Sequence, residues 1–159
     1  MKKAFYFGII IVVFLCACRR PVKYSDIPEI KFISFEKLNS EDGILTFYFQ
    51  DGEGDIGLEA WETKPPFDYN FFCDYYEKQN GIFEKIDSIV DSQGKTIAYH
   101  LNGRIPRLTK LPEESINGEI YLKMVPYREE TPFDTIKLSF YIVDRKLNRS
   151  NVEEVVVIR

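Results

Sequence analysis

Apolar and polar residues alternate with a period of two through most of this chain. Leu45, Phe47 and Phe49 share one face of residues 44–49, with Thr46 and Tyr48 opposite. Ile136, Leu138, Phe140 and Ile142 repeat the pattern against Lys137, Ser139 and Tyr141. Ile120, Leu122 and Met124 do so against Tyr121, Lys123 and Val125. Successive side chains of an extended backbone point to opposite faces, so these runs predict half-buried strands. Further strands are expected at 30–35, 69–78, 82–88, 95–101 and 152–158, which makes eight. Gln79-Asn80-Gly81 has the chemistry of a hairpin turn, and Asp91-Ser92-Gln93-Gly94 and Asn117-Gly118 are expected to punctuate later strands. No long stretch carries apolar residues at helical spacing. Residues 58–64 have room for one short turn before Pro65-Pro66 stops it.

Eight short strands with turn signals and no helix predict an all-β fold, an antiparallel sandwich of seven or eight strands, with a small β-barrel as the alternative. The order resembles an immunoglobulin or cadherin-like domain, with strands A to C, a C′ hairpin, then D to G. The Cys–Trp–Cys signature of antibody domains is absent, because Trp61 falls in a loop. The resemblance therefore implies architecture and no activity.

The amino terminus departs from this alternation. Met1-Lys2-Lys3 is basic, residues 4–17 are apolar apart from Tyr6, and Arg19 and Arg20 follow Cys18. A basic start, a short apolar core and small residues before a cut describe a secretory signal. At a helical rise of 1.5 Å per residue, the apolar stretch reaches about two thirds of the hydrocarbon thickness, too little for a span. Leu15-Cys16-Ala17-Cys18 resembles the lipobox of bacterial lipoproteins. That resemblance implies cleavage before Cys18 and acylation of Cys18, with several chains anchoring more firmly than one. The expected organisation is a signal peptide at 1–17, a lipidated tether at 18–27 and a β-sandwich at 28–159.

Cleavage leaves 142 of the 159 residues, enough for one domain with a substantial core. It also removes Lys2 and Lys3, so 19 basic residues face 25 acidic ones, a net charge of −6. An acidic body of this kind excludes nucleic acid as the expected partner. Only Cys73 follows Cys18, so no internal disulfide between unmodified thiols is expected, and Cys73 reads as a small buried hydrophobe.

One segment is chemically distinctive. Asp51-Gly52-Glu53-Gly54-Asp55-Ile56-Gly57 alternates three carboxylates with glycines directly after a strand. Glycines permit the tight path that turns several oxygens toward one point, and calcium requires six to eight oxygens. Counted on an EF-hand loop, Ile56 stands where glycine is needed, so that motif is excluded. Residues 144–151, Asp-Arg-Lys-Leu-Asn-Arg-Ser-Asn, join the last two strands. In the expected sandwich both loops emerge at the same end. Asp51, Glu53, Asp55, Asp144 and Asn148 are the candidate calcium ligands, with Asn151 as a further oxygen source. The alternative is metal-free: Arg145 and Arg149 pairing with Asp51, Glu53 or Asp55.

Catalytic chemistry finds little support. His100 is the single histidine and lies in a strand, with no Gly-x-Ser-x-Gly elbow. Glu113-Glu114, Glu129-Glu130 and Glu153-Glu154 are adjacent pairs, and neighbours in a strand face opposite ways. There is no His/Cys zinc cluster and no phosphate-cradling loop. Tyr69, Tyr75, Tyr76, Tyr99, Tyr121 and Trp61 offer either a sugar-stacking platform or ordinary cross-strand packing. The two acidic-turn segments, with Tyr69-Asn70-Phe71-Phe72, resemble a group of small uncharacterised envelope lipoproteins of Gram-negative bacteria. That group shares an Asp-Gly-acid-Gly-Asp-Ile-Gly turn and a late Asp-Arg-x-Leu-Asn-x-Ser-Asn turn, and implies no activity. The expectation is a non-enzymatic lipoprotein of the bacterial cell envelope, anchored through Cys18 to the outer membrane on its periplasmic face. It would be a binding or assembly module, with calcium as the candidate cofactor and an envelope protein as partner. The alternative is a carbohydrate-binding accessory lipoprotein of a glycan-uptake system.

Overall fold

The computed structural model describes residues 24–90, 93–108, 114–125 and 131–158. The signal segment, Cys18, Asp91-Ser92, Glu113 and Glu129-Glu130 lie outside them. Among the described residues the chain is all-β, with nine strands: β1 Glu29–Lys37, β2 Gly43–Asp51, β3 Phe71–Gln79, β4 Ile82–Lys85, β5 Ser88–Val90, β6 Thr96–Ala98, β7 Ile116–Met124, β8 Thr135–Ile142 and β9 Glu153–Ile158. They form two open antiparallel sheets, in the orders β1-β2-β7 and β4-β3-β8-β9, and a ribbon of β5 and β6. The strand order is the layout A-B-E over C′-C-F-G, so the sandwich is as expected and neither sheet closes into a barrel.

The alternation read from the sequence becomes the interior. Leu45, Phe47 and Phe49 of β2 face Ile136, Leu138, Phe140 and Ile142 of β8, all buried. Phe47 from one sheet contacts Phe71 and Phe140 from the other, with ring centroids 5.9 and 5.6 Å apart. Burial of such side chains is the main term holding the sheets together, about 1.5–3 kcal/mol each. Cys73 is buried there, and burial pushes its thiol well above the ordinary range.

Asn80 and Gly81 take positive φ angles of 52° and 85°, the conformation that an Asn-Gly hairpin turn requires. Asn117-Gly118 behaves otherwise than its turn chemistry suggests. Both residues lie inside β7, opposite Gln50 and Phe49, because the nine-residue ladder with β2 outweighs a local turn preference. The expected strand at 82–88 also breaks, with β4 ending at Lys85 and β5 starting at Ser88.

Two features orient the domain. Gly52 N–H donates to the Ser25 carbonyl at 2.7 Å, and Asn117 Nδ2 donates to the Tyr24 hydroxyl at 3.0 Å. The chain therefore joins the sandwich at the end where β2 finishes. Near the same end, along the β1 edge, the Asn151 amide donates to the carbonyl of Ile30 and accepts from its N–H, both at 2.8 Å. That stitches β1 of one sheet beside β9 of the other.

Candidate functional site

β2 ends at Asp51 and β8 ends two residues before Asp144, in different sheets but at the same end of the sandwich. Each aspartate builds the loop that follows it. Asp51 Oδ2 accepts the N–H of Asp55 at 2.9 Å, and Asp144 Oδ1 accepts the N–H of Asn148 at 2.8 Å. Asn148 Nδ2 also donates to Asp144 Oδ2 at 2.8 Å. A carboxylate reaching the backbone a few residues on is the natural organiser of such turns. Gly54 and Gly57 complete the first loop at φ angles of 66° and 108°. A Cβ on Gly54 would collide with the Glu114 carbonyl oxygen, and one on Gly57 with that of Pro106. The glycines are there so that the loop can fold tightly inward.

The outcome is a cluster of three carboxylates. One oxygen each from Asp51, Asp55 and Asp144 lies within 4.8 Å of the others. Two ligands on opposite sides of a calcium ion, each at about 2.4 Å, are about 4.8 Å apart, so the three oxygens fit around one such ion. Asp51 is fully buried and Asp144 nearly so, at 0 % and 2 % exposure. Oδ1 of Asp51 and Oδ1 of Asp55 are buried without a hydrogen-bond partner. Burial pushes the Asp51 carboxyl up to about 6, against the pull of the Asp55 N–H, and the neighbouring Asp55 and Asp144 charges push the same way. Asp55 is raised by burial first, then by Asp144 and Glu53.

The cations of the second loop are placed elsewhere. Arg145 makes a two-pronged ion pair with Glu62, at 2.6 and 2.7 Å, which holds the Glu62 carboxyl below its ordinary value. Arg149 stacks on Tyr141, its guanidinium 3.7 Å from the ring centroid. Lys146 pairs with Glu53 at the rim. Lys146 and Arg107 act on Asp55 through their charges, which partly offsets the upward push on its carboxyl. A buried carboxylate oxygen without a partner, as on Asp51 and Asp55, is costly, and a divalent cation is a chemistry that offsets it.

Of the five candidate ligands, then, the structure brings together Asp51, Asp55 and Asp144. Glu53 pairs with Lys146 through Oε1 while its Oε2 is buried without a partner, and Asn148 acts on Asp144 rather than beside it. Asn151 is spent on Ile30. In the sequence Glu62 stands out only as position 12 of the rejected EF-hand loop, and Arg104 does not stand out. The Arg104 guanidinium donates to the Phe67, Asp68 and Glu59 carbonyls at 2.9, 2.8 and 3.1 Å, bracing the loop that carries Glu62.

The proposed aromatic platform is dispersed. Tyr75 is in the core with Tyr99 edge-on against it, Tyr69 meets His100, and Tyr121 is exposed on the other sheet. A different pair forms on the outer face of the four-stranded sheet. Phe72 and Tyr141 lie directly across β3 and β8 with rings stacked, centroids 5.1 Å apart.

No family model matches the chain, and no curated protein matches it. Among solved structures it is similar to the sporulation control protein Spo0M from Bacillus subtilis, at a TM-score of 0.38 and 8% sequence identity. That likeness covers 83% of this chain and 49% of the other, so the chain spans about half the length of the protein it matches.

Proposed function

We propose that this chain is a non-enzymatic, lipid-anchored envelope module whose loop end is held by a bound calcium ion. The observation that carries the ion is Asp51, a fully buried carboxylate with one oxygen unpartnered, facing two further carboxylates from separate loops. Calcium fits the donor set because all three groups are hard oxygens and neither histidine nor thiolate is among them. The ion would link the end of β2 in one sheet to the end of β8 in the other. Its role is structural, since Asp51 and Asp144 are buried and Asp55 is only partly exposed, leaving little of the site open to a substrate. Cys73 supports the non-enzymatic reading, because a thiol kept protonated by burial is no nucleophile. Anchoring rests on the Leu15-Cys16-Ala17-Cys18 sequence.

A thermal melt in calcium and then in chelator tests the ion. At a hundredfold excess over Kd, binding contributes about 2.7 kcal/mol, worth about 5–10 °C for a domain of this size. The shift should vanish in Asp144→Asn; an unchanged melt at millimolar calcium rejects the site. Anchoring is tested by metabolic palmitate, whose incorporation should disappear in Cys18→Ser.

Glycan binding stands as a second reading because of the Phe72–Tyr141 pair, which sits on an outward face and carries Arg149 on its end. With Phe72 and Arg149 both against Tyr141, what the pair offers a sugar ring is its apolar outer edge. A glycan array with Tyr141→Ala as control separates the readings: binding that depends on Tyr141 favours the second, and an array without signal retires it.

A further inference from the structure

We propose that the acidic loop end of the sandwich docks on the bilayer that holds the lipid, with Trp61 and Leu147 as its apolar contacts. The inference rests on lipidation of Cys18 and concerns what the anchored domain then does.

Tether length sets the geometry. Tyr24 and Ser25 are fastened to Asn117 and Gly52 at the end of β2. Six residue steps separate Cys18 from Tyr24, a reach of about 20 Å at full extension. A nine-residue strand such as β2 is itself about 30 Å long. With the sandwich inverted, Tyr24 would stand farther from the bilayer than its tether allows. The apolar groups exposed at the opposite end, Leu38, Val125 and Ile158, are therefore turned away from the membrane.

The near end has the chemistry of a membrane-facing rim. Trp61 is the single tryptophan of the chain and is 76% exposed. It precedes Glu62, which Arg145 ties to the loop of Asp144. The turn that carries it is braced further by the Glu59 N–H on Glu62 Oε2 and by Arg104 on the Glu59 carbonyl. A large aromatic held out on a rigid turn is poorly placed for water and well placed for the headgroup region, where an apolar ring with a polar N–H is favoured. Leu147 adds an independent sign. It is 52% exposed and holds a φ of 67°, a left-handed conformation that glycine or asparagine adopts more readily. About half of Leu147 is left to water, surface that an apolar layer pressed against this rim would cover. Filling the carboxylate cluster with a cation also removes negative charge from the end that would meet anionic headgroups.

The lone tryptophan supplies the reporter. The lipidated protein is placed in phosphatidylethanolamine–phosphatidylglycerol vesicles with calcium, with and without lipids brominated near the headgroup. Trp61 emission should fall by at least a third with the brominated lipid and shift to shorter wavelength on reconstitution. Trp61→Phe combined with Ile82→Trp moves the reporter to the β3–β4 turn at the other end, where quenching should be absent. An unquenched Trp61, or quenching at position 82, overturns the inference. Palmitate on Cys18 with an unquenched Trp61 leaves the anchored reading intact and removes only the docking; absence of palmitate removes both.

Discussion

Asp51 is a residue whose environment opposes its charge. It lies at the end of a strand, fully buried, with two more carboxylates within ion-binding distance. With its carboxyl raised to about 6, the folded state without metal holds a proton that the unfolded chain gives up near pH 4. The folded form thus binds more protons across that interval. In chelator, the Asp51 contribution to stability should be full below about pH 4 and be lost as pH rises through about 6, by at most about 3 kcal/mol. Urea titrations between pH 4 and 7 measure it directly. Calcium should remove much of the decline, because the ion favours the charged carboxylate. Asp51→Asn should shrink the decline, leaving the part due to Asp55, and abolish the calcium response; a decline unaltered in that variant would place its origin elsewhere.

The elements divide into those that hydrophobic pattern specifies and those that tertiary pairing decides. β2 and β8 were legible because Phe47 and Phe140 alternate with polar neighbours, and period two has one structural meaning over that length. Asn117-Gly118 was misleading: the dipeptide favours a turn, yet nine backbone pairings with β2 absorb it. The acidic loop was legible as three acids and two glycines, and its meeting with residues 144–151 followed from strand order alone. Which acids converge was not legible, since Glu53 and Asp55 are two residues apart and only the folded path sends Glu53 to Lys146 and Asp55 to Asp51 and Asp144. Gly54 is where that path is decided. Gly54→Ala should cost about 1–3 kcal/mol, from its positive φ and the collision with the Glu114 carbonyl. The calcium-dependent rise in melting temperature should shrink in the same variant, which calorimetry with and without the ion reads in one experiment.

At the scale of the whole molecule, the two sheets share a core but need closure at their rims. The cluster of Asp51, Asp55 and Asp144 spans them at one end, while Asn151 spans them along one edge. The Asn151 amide offers Ile30 a donor and an acceptor, as a strand residue would, and Glu153 Oε2 accepts the Phe32 N–H at 3.1 Å. Side chains ahead of and within β9 therefore serve the edge of β1 that β2 leaves unpaired, which also keeps that edge from recruiting another chain. Sequence gave Asn151 a place among turn residues and oxygen donors; its partner lies 121 positions away and only the sandwich brings it near. Asn151→Ala removes two hydrogen bonds from a part-buried backbone unit and should cost about 2 kcal/mol. Because the core and the carboxylate cluster are untouched, amide exchange should quicken at Ile30 while β8 keeps its protection. Exchange rising equally across both sheets would mean that the edge contact is no separate closure but part of the single cooperative fold.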